Sequence, residues 1–232
     1  MNGMRKTART AGLLYLIFIV IAIFAGVLRS TLVSYDNAGA TAKRIAASPW
    51  LFRIDFLSDL ASSVFFLLAA WALYVLLKLV DKHIALLFLL LNVCGVSISS
   101  MNMLNQFAAL LLLSDYSKVF PPDQLQALAM FFLAMHKSGF VLMQVFFGAW
   151  LFPLGYLVLK SGFLPRILGV LLIMDGIGEM IWVVQFFLFP GHDVITYPGF
   201  VVSFVAELAL SLWLLIKGVK DQEPASIQSV AS

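Results

Sequence analysis

Six stretches of the chain are continuously apolar, and the polar residues either separate them or recur inside them at helical spacing. The apolar stretches cover residues 12–28, 60–77, 84–113, 138–159, 167–189 and 200–216. A helix needs ~20 mostly apolar residues to cross ~30 Å of hydrocarbon, so each stretch predicts one membrane span. A spanning barrel would instead show short alternating segments, because only helices and closed barrels satisfy every backbone polar group in lipid. The pattern therefore predicts an all-α, polytopic membrane helix bundle with six transmembrane helices. Residues 1–220 form that domain, and residues 221–232 a flexible polar cytoplasmic tail.

Helix punctuation agrees with six spans. Ser48-Pro49 reads as an N-cap and first-turn pair opening the second span. Pro121-Pro122-Asp123 opens the fourth, Ser161-Gly162 ends it, and Leu164-Pro165-Arg166 opens the fifth. Pro190-Gly191 closes the fifth and Pro198-Gly199 precedes the sixth. Asp36-Asn37 followed by residues 38–47 predicts a short helix lying on the external membrane surface. Pro153 removes one backbone hydrogen bond and is expected to kink the fourth helix. Measured from Pro49 to Lys78 the second helix runs ~45 Å, and the fourth is longer still, so both extend beyond the hydrocarbon on the external side.

Composition sharpens this picture. Hydrophobic residues make up 62% of the 232, charged residues 12%, and the mean hydropathy is +1.00. That charged fraction is roughly half the soluble norm, and it leaves no room for a separate soluble domain. The first apolar run exceeds the ~7–15 residues of a signal-peptide core, so it reads as a retained helix. Cys94 is the only cysteine, which excludes an internal disulfide.

Cations set the orientation. With the amino terminus cytoplasmic, that face holds Arg5, Lys6, Arg9, Lys78, Lys82, Lys160, Arg166, Lys217 and Lys220. The other holds Arg29, Lys43, Arg44, Arg53 and Lys118, so the count is nine against five. The positive-inside rule then places both termini in the cytoplasm, with the chain in the plasma or inner membrane. The net charge of +3 reflects this topology, and no basic run points to nucleic acid.

Charged groups inside spans cost ~3 kcal/mol or more at the centre and face the bundle interior. Asp55 and Asp59 are four apart in the second span. Asn92, Gly95, Ser99, Asn102 and Gln106 form a stripe on the third. His136 and Lys137 stand at the external boundary of the fourth, with Gln144 deeper. Asp175 and Glu179 share a face of the fifth, and Ser203, Glu207 and Ser211 a face of the sixth. Rise per residue puts Glu179 nearly ~20 Å from the cytoplasmic end of its span. The candidate binding residues of one polar cavity, open to the outside, are thus Asp55, Asp59, Asn102, His136, Asp175, Glu179 and Glu207. Each has a plainer reading: Asp55 beside Arg53 suits an interfacial pair, the third-span stripe suits close helix packing, and His136 a packing role. Asp175, Glu179 and Glu207 have no cation on their own helix turn. Each needs a partner from another helix or a proton.

Catalytic patterns are absent: there is no HExxH zinc pair, no GxSxG elbow and no phosphate-cradling glycine loop. His83 and His192 fall at opposite membrane faces, so the three histidines make no single metal site. Asp55 and Asp59, four apart, could hold a divalent cation, but one such pair is weak evidence, because magnesium sites also need phosphate oxygens or more carboxylates. We therefore expect no catalytic residues, no metal and no cofactor. The expected partners are the lipid bilayer, a small-molecule or lipid ligand and a second copy of the chain.

Several stretches resemble a bacterial membrane family, domain-of-unknown-function family 4386. They include Thr7-Ala-Arg-Thr-Ala-Gly-Leu-Leu-Tyr-Leu16, Ser48-Pro-Trp-Leu-Phe-Arg-Ile-Asp55, Gln124-Leu-Gln-Ala-Leu128, Phe146-Phe-Gly148 and Gly155-Tyr-Leu157. The most specific run is Ser161-Gly-Phe-Leu-Pro-Arg-Ile-Leu-Gly-Val170, and Glu207-Leu-Ala-Leu and Trp213-Leu-Leu-Ile-Lys-Gly218 also match. The resemblance covers roughly residues 5–220. It implies membrane location and a bacterial source, and supplies no activity. Members of that family often carry Leu-His near the start of the fourth helix and again after Phe-Phe-Gly. This chain has Met135-His136 and Ala149-Trp150 there, which weakens any shared histidine-based role.

Three functional readings follow. The first is a protein that binds or translocates a small molecule, ion or lipid through the external cavity. The second is a non-catalytic scaffold or accessory subunit whose polar groups lock helices together. The third is an intramembrane lipid-modifying enzyme with Asp59, His136 and Glu179 as acid–base groups. The residues favour a non-enzyme.

Overall fold

The computed structural model describes residues 2–114 and 119–219. Lys118, Lys220 and the tail at 221–232 lie outside them. Seven α-helices follow one another: α1 Asn2–Leu32, α2 Ala38–Ala47, α3 Pro49–Leu77, α4 Lys82–Ser114, α5 Pro122–Ser161, α6 Arg166–Leu188 and α7 Tyr197–Ile216. A short 3-10 turn, Asp193–Thr196, leads into α7. No strand occurs among the described residues, and six helices, all but α2, are long and apolar enough to cross a membrane. The protein is a multi-pass membrane helix bundle.

Each spanning helix packs against its neighbours in sequence, α1 on α3, α3 on α4, α4 on α5, α5 on α6 and α6 on α7. Then α7 returns to α1 and closes a ring. Short connections force this up-and-down order. One end of the bundle carries the described chain ends and is called here the terminal side. The other carries α2.

Length exceeds expectation in more places than the sequence suggested. Besides α3 and α5, with 29 and 40 residues, α1 has 31 and α4 has 33. At 1.5 Å per residue α5 is about 60 Å long, twice the hydrocarbon thickness. It runs unbroken through Pro153 and ends at Gly162, whose φ of 70° is left-handed.

Helix starts follow local chemistry. Asn37 Oδ1 accepts from the Ala40 amide at 2.8 Å and opens α2. Asp81 Oδ1 takes the amides of His83 and Ile84 at 2.9 and 3.0 Å at the head of α4. Ser48 stands at the N-cap of α3 without a side-chain hydrogen bond there, and Pro49 takes the first turn. One expectation needs correction. Pro198 and Gly199 do not precede the last span but form its first turn, where a missing amide hydrogen costs nothing.

Two apolar clusters divide the interior. The larger occupies the terminal half and includes Tyr15, Phe66, Leu73, Phe88, Trp150 and Leu157. The smaller sits at the α2 end, where Ile45 of α2 packs with Phe52, Leu110 and Leu133. Thus α2 docks on the ends of α4 and α5, with Lys43 and Arg44 turned outward. Helices α5 and α6 meet closely, since a Cβ at Gly155 would lie 2.8 Å from the Gly169 carbonyl oxygen. Between the two clusters lies the polar interior.

Candidate functional site

The polar interior holds an ion-pair network and, beside it, a cavity. The network starts on α1. Arg29 donates from Nε to Asp55 Oδ2 at 3.1 Å and from Nη2 to Asp55 Oδ1 at 3.0 Å. The same Nη2 reaches Asp59 Oδ2 one turn along α3. Gln106 of α4 donates Nε2 to Asp55 Oδ2 at 2.7 Å. Asp55, fully buried, therefore receives three donors from two other helices. A planar guanidinium suits this task because its fork of donors matches carboxylate geometry. The sequence suggested Arg53 as the partner of Asp55. Arg53 is exposed, and Arg29 takes the role from 26 residues away. The guanidinium also fills the space between Asp55 and Asp59 where a divalent cation was considered.

Beside this network lies a cavity of about 240 Å³ that receives residues from all six spanning helices. Five of the seven sequence-derived candidates line it: Asp59, Asn102, His136, Glu179 and Glu207. Asp55 and Asp175 are fully buried and stand outside the lining. Ser62, Ser63, Ser99, Gln144 and Ser203 add polar wall. The floor is aromatic. Phe18 and Phe66 stack with centroids 4.2 Å apart, and Phe147 and Trp150 each meet Phe66 edge-on at 5.0 Å. Trp150 stands where the resemblance places a second histidine.

The polar side chains of the cavity reach one another across helices. Asn102 Nδ2 donates to the His136 carbonyl at 2.8 Å, an approach that α5 permits because Gly139 has no side chain to strike Asn102. His136 Nδ1 lies 3.3 Å from Asn102 Nδ2 and 3.4 Å from the Asn102 carbonyl oxygen: it accepts from the first in one tautomer and donates to the second in the other, and only the latter makes Nε2 an acceptor. Nε2 has no partner among the described residues. Glu207 accepts from the Tyr15 hydroxyl at 3.0 Å, and Glu179 from the Ser203 hydroxyl at 3.4 Å. Glu179 Oε2 and both oxygens of Asp175 have no hydrogen-bond partner among the described residues.

Neither Arg29 nor Lys137 pairs with Glu207. Arg29 is committed to Asp55 and Asp59, and Lys137 sits with Nζ 4.9 Å from the Tyr35 ring centroid. A second cavity of about 170 Å³, lined by Tyr35, Lys137 and Trp182, shares Arg29, His136 and Phe140 with the first. It lies on the α2 side, whereas Trp150 and the larger apolar cluster close the terminal side. His83 and His192 are exposed at opposite ends of the bundle. Among the described residues no three His, Cys, Asp or Glu side chains converge as a metal site.

Sequence reasoning named the acidic residues and missed the floor. Phe18, Phe66, Phe147 and Trp150 sit inside apolar runs, where nothing distinguishes a cavity-facing ring from a lipid-facing one. Helical phase gives one clue, since Phe66 falls seven residues after Asp59 on the same face.

Comparison with known proteins bears on identity. An uncharacterized protein of Archaeoglobus fulgidus is 29% identical over 162 residues, which cover 68% of this chain and 79% of that protein. The relative is archaeal, so the likeness is not confined to bacteria. No solved structure matches the chain. Residues 10–218 match the model of the family described as Domain of unknown function (DUF4386), and the chain belongs to that family.

Proposed function

We propose that this membrane protein binds a small molecule in the cavity between its six spanning helices, admitted from the α2 side. The observation that carries the reading is the set of polar atoms left open around the cavity, His136 Nε2 and Glu179 Oε2. A buried polar atom without a partner costs about 1–3 kcal/mol, more when charged. A helix bundle that needed polar groups only as glue would gain by pairing them. Depth of the cavity on the α2 side and the apolar closure opposite favour a pocket over a continuous pore. The cation count supports a cytoplasmic location for both termini, with the α2 side outside.

Stability has its own apparatus, which favours a second reading for part of the interior. The Gln106–Asp55–Arg29–Asp59 network joins α1, α3 and α4, and Asp55 is fully satisfied within it. That network suits a scaffold role. Native mass spectrometry of the protein released from lipid nanodiscs tests the binding reading. We expect a stoichiometric small-molecule adduct that disappears in Ser203→Phe, which fills the wall beside Glu179. A bare mass from wild type and variant alike, with equal melting temperatures, would favour the scaffold.

A further inference from the structure

We propose that the ligand is a small organic monocation, an ammonium on one flat apolar body, with its charge between Glu179 and Glu207 and its ring against Phe66, Phe147 and Trp150. This inference rests on the reading of the cavity as a binding site and specifies its chemistry.

Charge is the first argument. The wall carries Asp59, Glu179 and Glu207, and the only guanidinium facing it among the described residues, Arg29, is spent on Asp55 and Asp59. Glu179 and Glu207 lie on adjoining helices, α6 and α7, and both line the cavity. Ser203, one turn before Glu207 on α7, spans the gap by donating to Glu179. Two carboxylates on one low-dielectric wall repel, and a cation between them removes that cost. An anion would face the opposite balance.

Hydrogen-bond polarity points the same way. The nearby hydroxyl donors, Tyr15 and Ser203, are already used on the two glutamates. Beside the two glutamates the open capacity is for accepting: Glu179 Oε2 and, with Nδ1 protonated, His136 Nε2, on a side chain only 2% exposed. An ammonium brings three donors and no acceptor. A metal dication would need more oxygens than this wall converges.

Size and shape complete the argument. An apolar cavity of about 150 Å³ accommodates benzene. At about 240 Å³ this one has room for a single ring and a short charged arm. The aromatic floor matches such a body, and ring faces near a cation add attraction.

The test uses three probes that share one ring and differ in charge: 2-phenylethylammonium, 2-phenylethanol and 3-phenylpropanoate. Each is titrated calorimetrically at pH 7 into the full chain in nanodiscs. We expect the ammonium to bind about tenfold to a hundredfold tighter than the alcohol, the span of one charge-assisted hydrogen bond, and the carboxylate not at all. Glu179→Gln should erase the preference for ammonium over alcohol while alcohol binding persists; Glu207→Gln is the second variant if the first fails to fold. Should neither fold, the wild-type order of the three probes decides alone. Alcohol or carboxylate binding as tightly as the ammonium overturns the cationic assignment and leaves the binding reading standing. If no probe binds, a neutral or acidic adduct in the native mass spectrum again overturns the assignment only, whereas a bare spectrum overturns both.

Discussion

Replacing Arg29 by methionine should unfold this protein far more readily than any surface change, and the structure sets the size. The substitution keeps an unbranched apolar side chain on α1 and removes the donors to Asp55 and Asp59. Asp55 is fully buried and would retain only Gln106 at 2.7 Å. Lys137 is engaged over Tyr35 and cannot stand in. Breaking a buried pair from one side costs about 3–5 kcal/mol. The escape route is proton uptake by Asp55, which from a reference carboxyl costs about 4 kcal/mol at pH 7, so the two figures agree. At pH 5 the same proton costs only about 1.5 kcal/mol, and the variant should recover accordingly. The assay is denaturant unfolding in mixed micelles, following tryptophan fluorescence at both pH values. The triple variant Arg29→Met, Asp55→Asn, Asp59→Asn, which strands no charge, should regain most of the loss. A loss below about 1 kcal/mol, the level of an exposed pair, would refute the claim that this network is buried and structural. So would a loss of equal size at pH 7 and pH 5.

Two further outcomes follow from packing and topology. Gly155→Leu drives its Cβ toward the Gly169 carbonyl and Ile173 Cγ1, each 2.8 Å away, and should cost at least about 1–3 kcal/mol, read as a lowered melting temperature in detergent; an unchanged melt would mean α5 and α6 are not in contact there. With single cysteines at Lys43 and Ser226 in a Cys94→Ala background, an impermeant thiol reagent on intact cells should label position 43 and spare 226, and the reverse would invert the proposed orientation.

Hydrophobic length made the six spans readable, because a continuous apolar run of about twenty residues has one stable solution in lipid. Spacing of polar residues within runs made the inward faces readable too, and Asp59, Asn102, His136, Glu179 and Glu207 meet in one cavity. Partners were not readable where they came from another helix. Arg29 closes an apolar run in the sequence and looks like a boundary cation, yet it answers Asp55 across 26 residues of chain. The aromatic floor was hidden for a related reason: in a membrane chain both the lipid face and the core are apolar, so hydropathy does not separate Phe66 from an outward ring. The long α1 and α4 were underestimated because polar and charged residues at their ends, such as Lys82 and Ser114, break an apolar count without breaking a helix.

The claim at the centre of this account is a negatively charged cavity reachable from the α2 side, and thiol modification at its wall tests it most directly. A cysteine at Ser203, in the Cys94→Ala background, places the thiol beside Glu179. Cationic and anionic methanethiosulfonates of matched size are then applied to intact cells. We predict reaction from outside, with the cationic reagent about tenfold faster or more, since a cleft lined by one sign of charge concentrates the opposite sign. A thiol that reacts with neither reagent until the protein is unfolded, or that prefers the anionic one, would contradict the account.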